Sequence, residues 1–286
     1  MEPDNGTFET PTLDVKGIAK VIDAYSACGF EVLLSNPDCL PTQLHQEGRL
    51  VNVSFAISLT DILVLQWVAG FAPWRHALVI GNAFGFSTFV IAALSEGCHV
   101  DAIDAETEGS ENRLGSDLTR RIASHYFPGV QLTTGFSPQD LPKACRFDKY
   151  DLIFIDGMHT SKQLFADFSG ARERRSENSV VYCHDVGMAG MHDGWKKIKS
   201  ELLDKNDEPF DLHFTNFGCT MVVSGNPELR DFLGKICRPL GECLFYFGAR
   251  HTGFRSAWRM LVRTIRYSTP IGRWLHSFTR AQEQPI

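Results

Sequence analysis

The sequence lacks the marks of several protein classes. No apolar run approaches the roughly 18 residues of a membrane-spanning helix, because Asp61, Gln66, Ser95 and Glu96 interrupt the greasiest stretches. The start, MEPDNGTFETPTLD, has neither the positive region nor the apolar segment of a secretory signal. Eight cysteines (28, 39, 98, 145, 183, 219, 237, 243) form no CxxC pair, and several fall in strand-like runs where a reduced thiol packs as a small hydrophobe. These absences point to a soluble protein with free thiols in a reducing cytoplasm, and they leave little weight on the sequons at Asn5 and Asn52. Internal repeats, a P-loop, a GxSxG elbow and zinc-ribbon spacing are all missing, which argues against phosphoryl transfer and serine hydrolysis. Positive charge is short too: a net charge of -6 argues against a whole-chain nucleic-acid binder, while a local basic region could still bind anions.

What remains is a globular chain of 286 residues, long enough for one large domain or a medium one with extensions. Between residues 76 and 186, short apolar runs alternate with longer amphipathic ones, the pattern of parallel strands joined by crossover helices. HALVIG (76–81), HVDAIDA (99–105), VQLTTG (130–135), YDLIFIDG (150–157) and SVVYCHDV (179–186) read as five strands. Helices are expected over 87–97, starting at Ser87 or Thr88, and over 111–127, 160–175 and 190–203. FDLHFTN and CTMVVSG read as a closing hairpin. Upstream, LDVKGIAKVIDAYSACGF and ISLTDILVLQWVAGF have helical periodicity, with LPTQLHQEGRLVN as a looped connection. The expected division is a helical cover (1–59), an α/β domain (60–225) and a helical extension (226–286).

That extension is unusual. Residues 243–282 hold seven arginines (250, 255, 259, 263, 266, 273, 280) and no Lys, Asp or Glu. Phe254, Trp258, Leu261, Val262 and Ile265 fall opposite four of them, making a basic amphipathic helix. It suits docking on the acidic body, on a second subunit of a homo-oligomer, or on an anionic membrane surface.

Ligands of such sheets bind at the carboxyl ends of the strands. The first end is Gly81-Asn82-Ala83-Phe84-Gly85-Phe86-Ser87-Thr88, a glycine turn leading into a helix amino terminus that suits an anion. Alone it is also an ordinary tight turn, and the GxGxxG fingerprint fails at Ala83. Asp104, with Ala105 beside it, follows Gly81 by 23 residues, near the spacing of a ribose-binding acid. Phe136 and Ser137, after Gly135, can border an adenine ring. The last two ends, Asp156-Gly157-Met158-His159 and His184-Asp185, follow strands expected to be neighbours about 4.8 Å apart. Converging carboxylates need a cation, a proton or a donor-rich ligand between them. Oxygen ligands suit Mg, Mn or Ca, and an added imidazole admits Zn, Fe or Ni.

Taken together, VIGNAFGFST, VDAIDA, TGFSP, YDLIFIDGMH and VVYCHDV resemble the class I S-adenosylmethionine-dependent methyltransferases, closest to small-molecule O-methyltransferases of catechol and macrolide-sugar type. The resemblance covers about residues 60–224. It implies a doubly wound, Rossmann-like seven-stranded sheet of order 3-2-1-4-5-7-6 with the last strand antiparallel. It also implies cofactor contacts at Gly81, Asn82, Gly85, Ser87, Thr88, Asp104, Ala105, Phe136, Ser137 and Asp156. Metal-dependent members further imply a divalent cation, Mg or another, at Asp156, His184 and Asp185. His159 is then the preferred base and His184 a ligand or its orienting neighbour. Val79 stands where that family usually has an acid, and Ala83 where it has glycine. Met158 replaces a polar residue.

The expected activity is methyl transfer to an oxygen of a small-molecule acceptor. Three readings compete. A nicotinamide oxidoreductase shares the fold start, yet no tyrosine has Lys four residues later. A metal-dependent hydrolase or hydroxylase would use the same ligands. A catalytically inactive methyltransferase-like binding protein would account for Val79 and Ala83.

Overall fold

The computed structural model describes residues 15–34, 42–52, 57–107, 110–187, 191–215 and 218–237. The chain divides into two compact units, Met1–Gly234 and Lys235–Ile286. The fold below is that of the first; the arginine-rich helix expected over 243–282 lies outside the described residues.

The parallel strands form where the apolar runs placed them: β4 His76–Ile80, β5 His99–Asp104, β6 Val130–Thr134, β7 Tyr150–Ile155 and β8 Arg175–Cys183. With β9 (Asp207–Leu212) and β10 (Cys219–Ser224) they make one sheet of order β6-β5-β4-β7-β8-β10-β9. Counted within this sheet in chain order, that is 3-2-1-4-5-7-6. The last strand, β10, runs antiparallel to both neighbours.

Runs such as Ala77–Ile80 and Leu152–Ile155 are buried at every position, as strands covered on both faces must be. Helices α5 (Leu141–Ala144), α6 (Ser161–Arg172) and α7 (His192–Glu201) cover one face, packing Leu141, Leu164, Phe168 and Trp195 on Leu78, Ile80, Ile153 and Ile155. Gly194 lets α7 approach α6, since a Cβ there would lie 2.5 Å from the Ser161 carbonyl oxygen. Toward the other face, Phe154 stacks on Tyr182, whose hydroxyl donates to Asp61 of α2 (Leu59–Phe71). Helix α1 (Val15–Ala27) leans on α3 (Phe86–Leu94) through Tyr25 against Phe86 and Phe89. The remaining helices are α4 (Ser110–Tyr126) and α8 (Pro227–Ile236).

Two expectations need correction. The stretch read as a looped connection contains β2 (Gln43–Gln46) and β3 (Arg49–Asn52), which with β1 (Phe30–Leu33) form a separate antiparallel sheet. Glu47 (φ 51°) and Gly48 (φ 72°) make its two-residue turn. In β2 and β3 only Leu44 is buried, so no strong apolar alternation betrays them. Helix α3 also starts earlier than Ser87 or Thr88: its cap is Gly85, left-handed at φ 86°, with no side-chain capping bond. Glycine is forced there because a Cβ would meet Thr119 Oγ1 at 2.4 Å. Among the described residues no helix is long and apolar enough to cross a membrane, and six cysteines are free thiols.

Candidate active site

The sheet register aligns the predicted residues. Ile80 pairs with Ile103 and Ile155, and Ile155 pairs with Cys183. One step further, Gly81 N donates to Ile103 O (2.9 Å), Asp156 N to Ile80 O (2.8 Å) and His184 N to Ile155 O (2.9 Å). Gly81, Asp104, Asp156 and His184 therefore stand in one row across the carboxyl edge.

On the β5 side of this row the glycine loop is tied down from within. Gly81 has φ 91°, and a Cβ there would sit 2.0 Å from the Asp156 carbonyl oxygen, so the loop touches the end of β7 only because residue 81 is glycine. Asp104 Oδ2 accepts from the amides of Asn82 (2.7 Å) and Ala83 (2.9 Å), and its Oδ1 accepts from Glu106 N (2.8 Å). Asn82 turns inward: its Nδ2 donates to Thr119 Oγ1 (3.0 Å), and its Oδ1 accepts from the Thr88 hydroxyl (2.9 Å). The side chains of Asn82 and Thr88 thus brace the loop, and Ser87 is buried beside them. Ala105 is half-buried. Phe136 is 58% exposed, a large apolar ring left in solvent at the end of β6. Ser137 is half-buried, with its carbonyl accepting from Gln163 Nε2 (2.7 Å).

On the β8 side, acids and imidazoles converge as expected. His184 Nδ1 lies 3.2 Å from Asp156 Oδ1 and 3.1 Å from Asp185 Oδ1. His159 Nε2 lies 3.3 Å from Asp156 Oδ1 and 3.7 Å from Asp185 Oδ2. Burial alone would raise the Asp156 carboxyl and lower the His184 imidazole; their mutual attraction wins, holding Asp156 below the usual carboxylate range and His184 well above the usual imidazole range. His159 is raised by its bond to Asp156. Asp185 is left-handed at φ 56°, a conformation costly for a residue with a Cβ and concentrated at functional sites. Its Oδ1 is buried without a hydrogen-bond donor. Three ligand atoms of Asp156, His184 and Asp185 lie within 4.8 Å of one another. An orphaned carboxylate oxygen beside a second carboxylate and a ring nitrogen fits a divalent cation. His192 and Asp193, by contrast, are solvated at the start of α7, and Met158 is 62% exposed.

Sequence reasoning missed Asp61. It is 1% exposed at the start of α2, accepts from Ser58 N (2.9 Å) and the hydroxyls of Ser58 (2.5 Å) and Tyr182 (2.8 Å), and lies 3.4 Å from His184 Nε2. Burial would raise its pKa, but His184, Ser58 and Tyr182 hold it below the carboxylate range. The available signal was the capping pattern Ser58-x-x-Asp61 before an apolar run. Nothing local shows that it meets a residue 123 positions away.

The sheet order and this row define the fold of class I methyltransferases. Residues 78–186, from β4 to just beyond β8, match a family model described as a methyltransferase domain. No curated protein matches the chain. Solved structures similar to it include an O-methyltransferase from Bacillus cereus in complex with SAH, at 18% identity over 73% of this chain and 91% of that one, TM-score 0.50. Another is the O-methyltransferase TomG from Streptomyces achromogenes, involved in tomaymycin synthesis and in complex with SAM, at 16% identity over 73% and 90%, TM-score 0.50. At such identities the likeness concerns the fold.

Proposed function

We propose that this chain transfers a methyl group from S-adenosylmethionine to an oxygen of a small-molecule acceptor, assisted by a divalent cation such as Mg. The observation that carries this reading is the single row at the carboxyl edge, where cofactor-binding and cation-binding residue types adjoin through Asp156. When bound, S-adenosylmethionine supplies a methyl activated by its sulfonium, and the cation supplies charge that lowers the pKa of an acceptor hydroxyl.

The chain's own residues hold and orient. The Gly81–Gly85 loop brings backbone to the cofactor's methionine part. Asp104 keeps lone pairs beyond its three backbone donors, enough to accept from ribose hydroxyls. Phe136 offers a ring face to the adenine. Asp156, His184 and Asp185 hold the cation, and the acceptor oxygen is positioned beside it, which is the main source of rate in such a transfer. His159, 41% exposed at the rim, takes the acceptor's proton on Nε2, where Asp156 stabilises it. Free thiols at all six described cysteines suit a reducing, cytoplasmic setting.

One observation favours a second reading. Asp104 is already engaged by three backbone amides, and Val79 leaves the loop without a neighbouring acid, as in a methyltransferase-like binding protein that takes no cofactor. Calorimetric titration with S-adenosylmethionine, with and without Mg, separates the two: one-to-one binding is expected, and absence of heat in both titrations selects the second reading. Asp104→Asn should weaken the cofactor by about 1 to 3 kcal/mol, the worth of a charge-assisted hydrogen bond; undiminished affinity would remove Asp104 from the ribose site.

A further inference from the structure

His184 is held from both sides. Its Nδ1 faces only acceptors, Asp156 Oδ1 at 3.2 Å and Asp185 Oδ1 at 3.1 Å. Its Nε2 faces Asp61 Oδ2 at 3.4 Å. Asp61 comes from α2, outside the span matched as a methyltransferase domain, and its carboxylate is fixed by Ser58 on Oδ2 and by Tyr182 and Cys219 Sγ (3.3 Å) on Oδ1. A neutral imidazole carries one proton; when it sits on Nε2, Nδ1 presents a lone pair. A lone pair between two carboxylates is repelled unless a proton or a cation lies there.

We infer that Asp61 is the orienting carboxylate of the cation site: it takes the Nε2–H of His184 and commits Nδ1 to the cation shared with Asp156 and Asp185. The inference rests on the metal-assisted reading above. A carboxylate behind a ligating histidine fixes tautomer and ring direction and makes the ligand nitrogen a better donor. The site so built has one nitrogen and carboxylate oxygens, a donor set that favours Mn over Mg.

The same residues offer another grouping, because Asp61, His184 and Cys219 also bring ligand atoms within 4.8 Å of one another. The inner group is dry: Asp61 and Cys219 are each 1% exposed, and Asp61 already accepts from Ser58 and Tyr182. An acceptor hydroxyl reaches the outer group, where Asp156 is partly open and His159 stands at the rim. Asp61 is therefore a positioning residue with no contact to the cation or the acceptor.

The test is calorimetric titration of the full chain with Mn and, separately, Mg, in the parent and in Asp61→Asn, Ser58→Ala and Cys219→Ser. Asp61→Asn should weaken Mn about 10- to 100-fold and Mg less, because its effect passes through the ring nitrogen. Ser58→Ala, which removes the capping hydroxyl but keeps the Ser58 amide on Asp61 Oδ2, should weaken Mn by less than about threefold, and Cys219→Ser, which keeps a donor on Oδ1, should leave it unchanged. Equal Mn affinity in Asp61→Asn and the parent overturns the inference while leaving the metal site standing. Equal losses in Ser58→Ala overturn it in favour of helix capping, and loss in Cys219→Ser does so in favour of the inner group. A parent that takes neither metal overturns the metal reading, and the inference with it. Should Asp61→Asn fail to fold, histidine nitrogen NMR of the parent loaded with Mg decides, with His184→Gln assigning the signal: Nε2–H is expected, and Nδ1–H overturns the inference.

Discussion

The amino edge of the large sheet and the β7–β8 end of its carboxyl edge treat the same residue type in opposite ways. At the amino edge Asp101 is fully buried, yet it accepts from the Arg146 guanidinium, from Arg146 N (2.7 Å) and from the Tyr150 hydroxyl (2.6 Å). Asp151, nearby, takes the amides of Arg75 (2.9 Å) and His76 (3.2 Å) and the hydroxyl of Ser176 (2.9 Å). At the carboxyl edge Asp156 and Asp185 face two imidazoles, and Asp185 Oδ1, 3.1 Å from His184 Nδ1, receives no hydrogen bond. Saturated carboxylates hold a fold together; unsaturated ones kept in place by a sheet and a left-handed backbone are available to a ligand.

The sharpest way to break this comparison is to remove one aspartate from each edge. Asp101→Ala takes the carboxylate from a partly buried guanidinium, which keeps only the Val100 and Gly129 carbonyls, and the acceptor from a buried phenol, and should cost about 3 to 5 kcal/mol in urea unfolding. A cost below about 1 kcal/mol, the worth of an exposed ion pair, would show that the amino edge is no stronger than a surface contact. Asp185→Asn should do the reverse, leaving stability without metal close to that of the parent. It should abolish the gain that a bound cation gives the parent, about 2.7 kcal/mol at 100-fold excess over Kd. Equal melting shifts with Mg, Mn or Zn in variant and parent would remove Asp185 from the cation site.

This contrast also explains what could be read from sequence. The parallel strands are two-sided apolar runs ended by Gly or Asp, and both features are local, so the row Gly81, Asp104, Asp156, His184 followed directly from them. The β2–β3 hairpin is hard to read from sequence because Leu44 alone of its strand residues is buried, which leaves no alternation. The inward turn of Asn82 and Thr88 could not be seen, because it depends on Thr119 of a later helix. Asp61 showed its local role as a cap, but its approach to His184 arises from α2 lying over Tyr182, a product of packing alone.

Asp167 sharpens the comparison from between the two extremes. It is 1% exposed on α6 under the end of β7, with Gln163 Nε2 donating to its Oδ1 at 2.8 Å. Its Oδ2 lies so near residue 157 that a Cβ there would approach to 3.2 Å, one reason that glycine follows Asp156. Burial pushes its pKa from 3.8 up to about 6, against the donors from Ser137 and Gln163. The folded state therefore prefers the protonated acid, and ionisation costs stability. That cost is complete above about pH 6, fades as pH falls toward 3.8 and is absent below it. Asp167→Asn keeps the shape and the acceptor for Gln163 without the charge, so it should stabilise the protein by about 3 kcal/mol at most at pH 8, with a gain that shrinks steadily as pH falls toward 4. Urea midpoints of parent and variant across that range measure it. A gain that is absent at pH 8, or that grows on acidification, would mean that Asp167 is served by donors as fully as Asp101, and that the lack of donors begins only at the strand ends themselves.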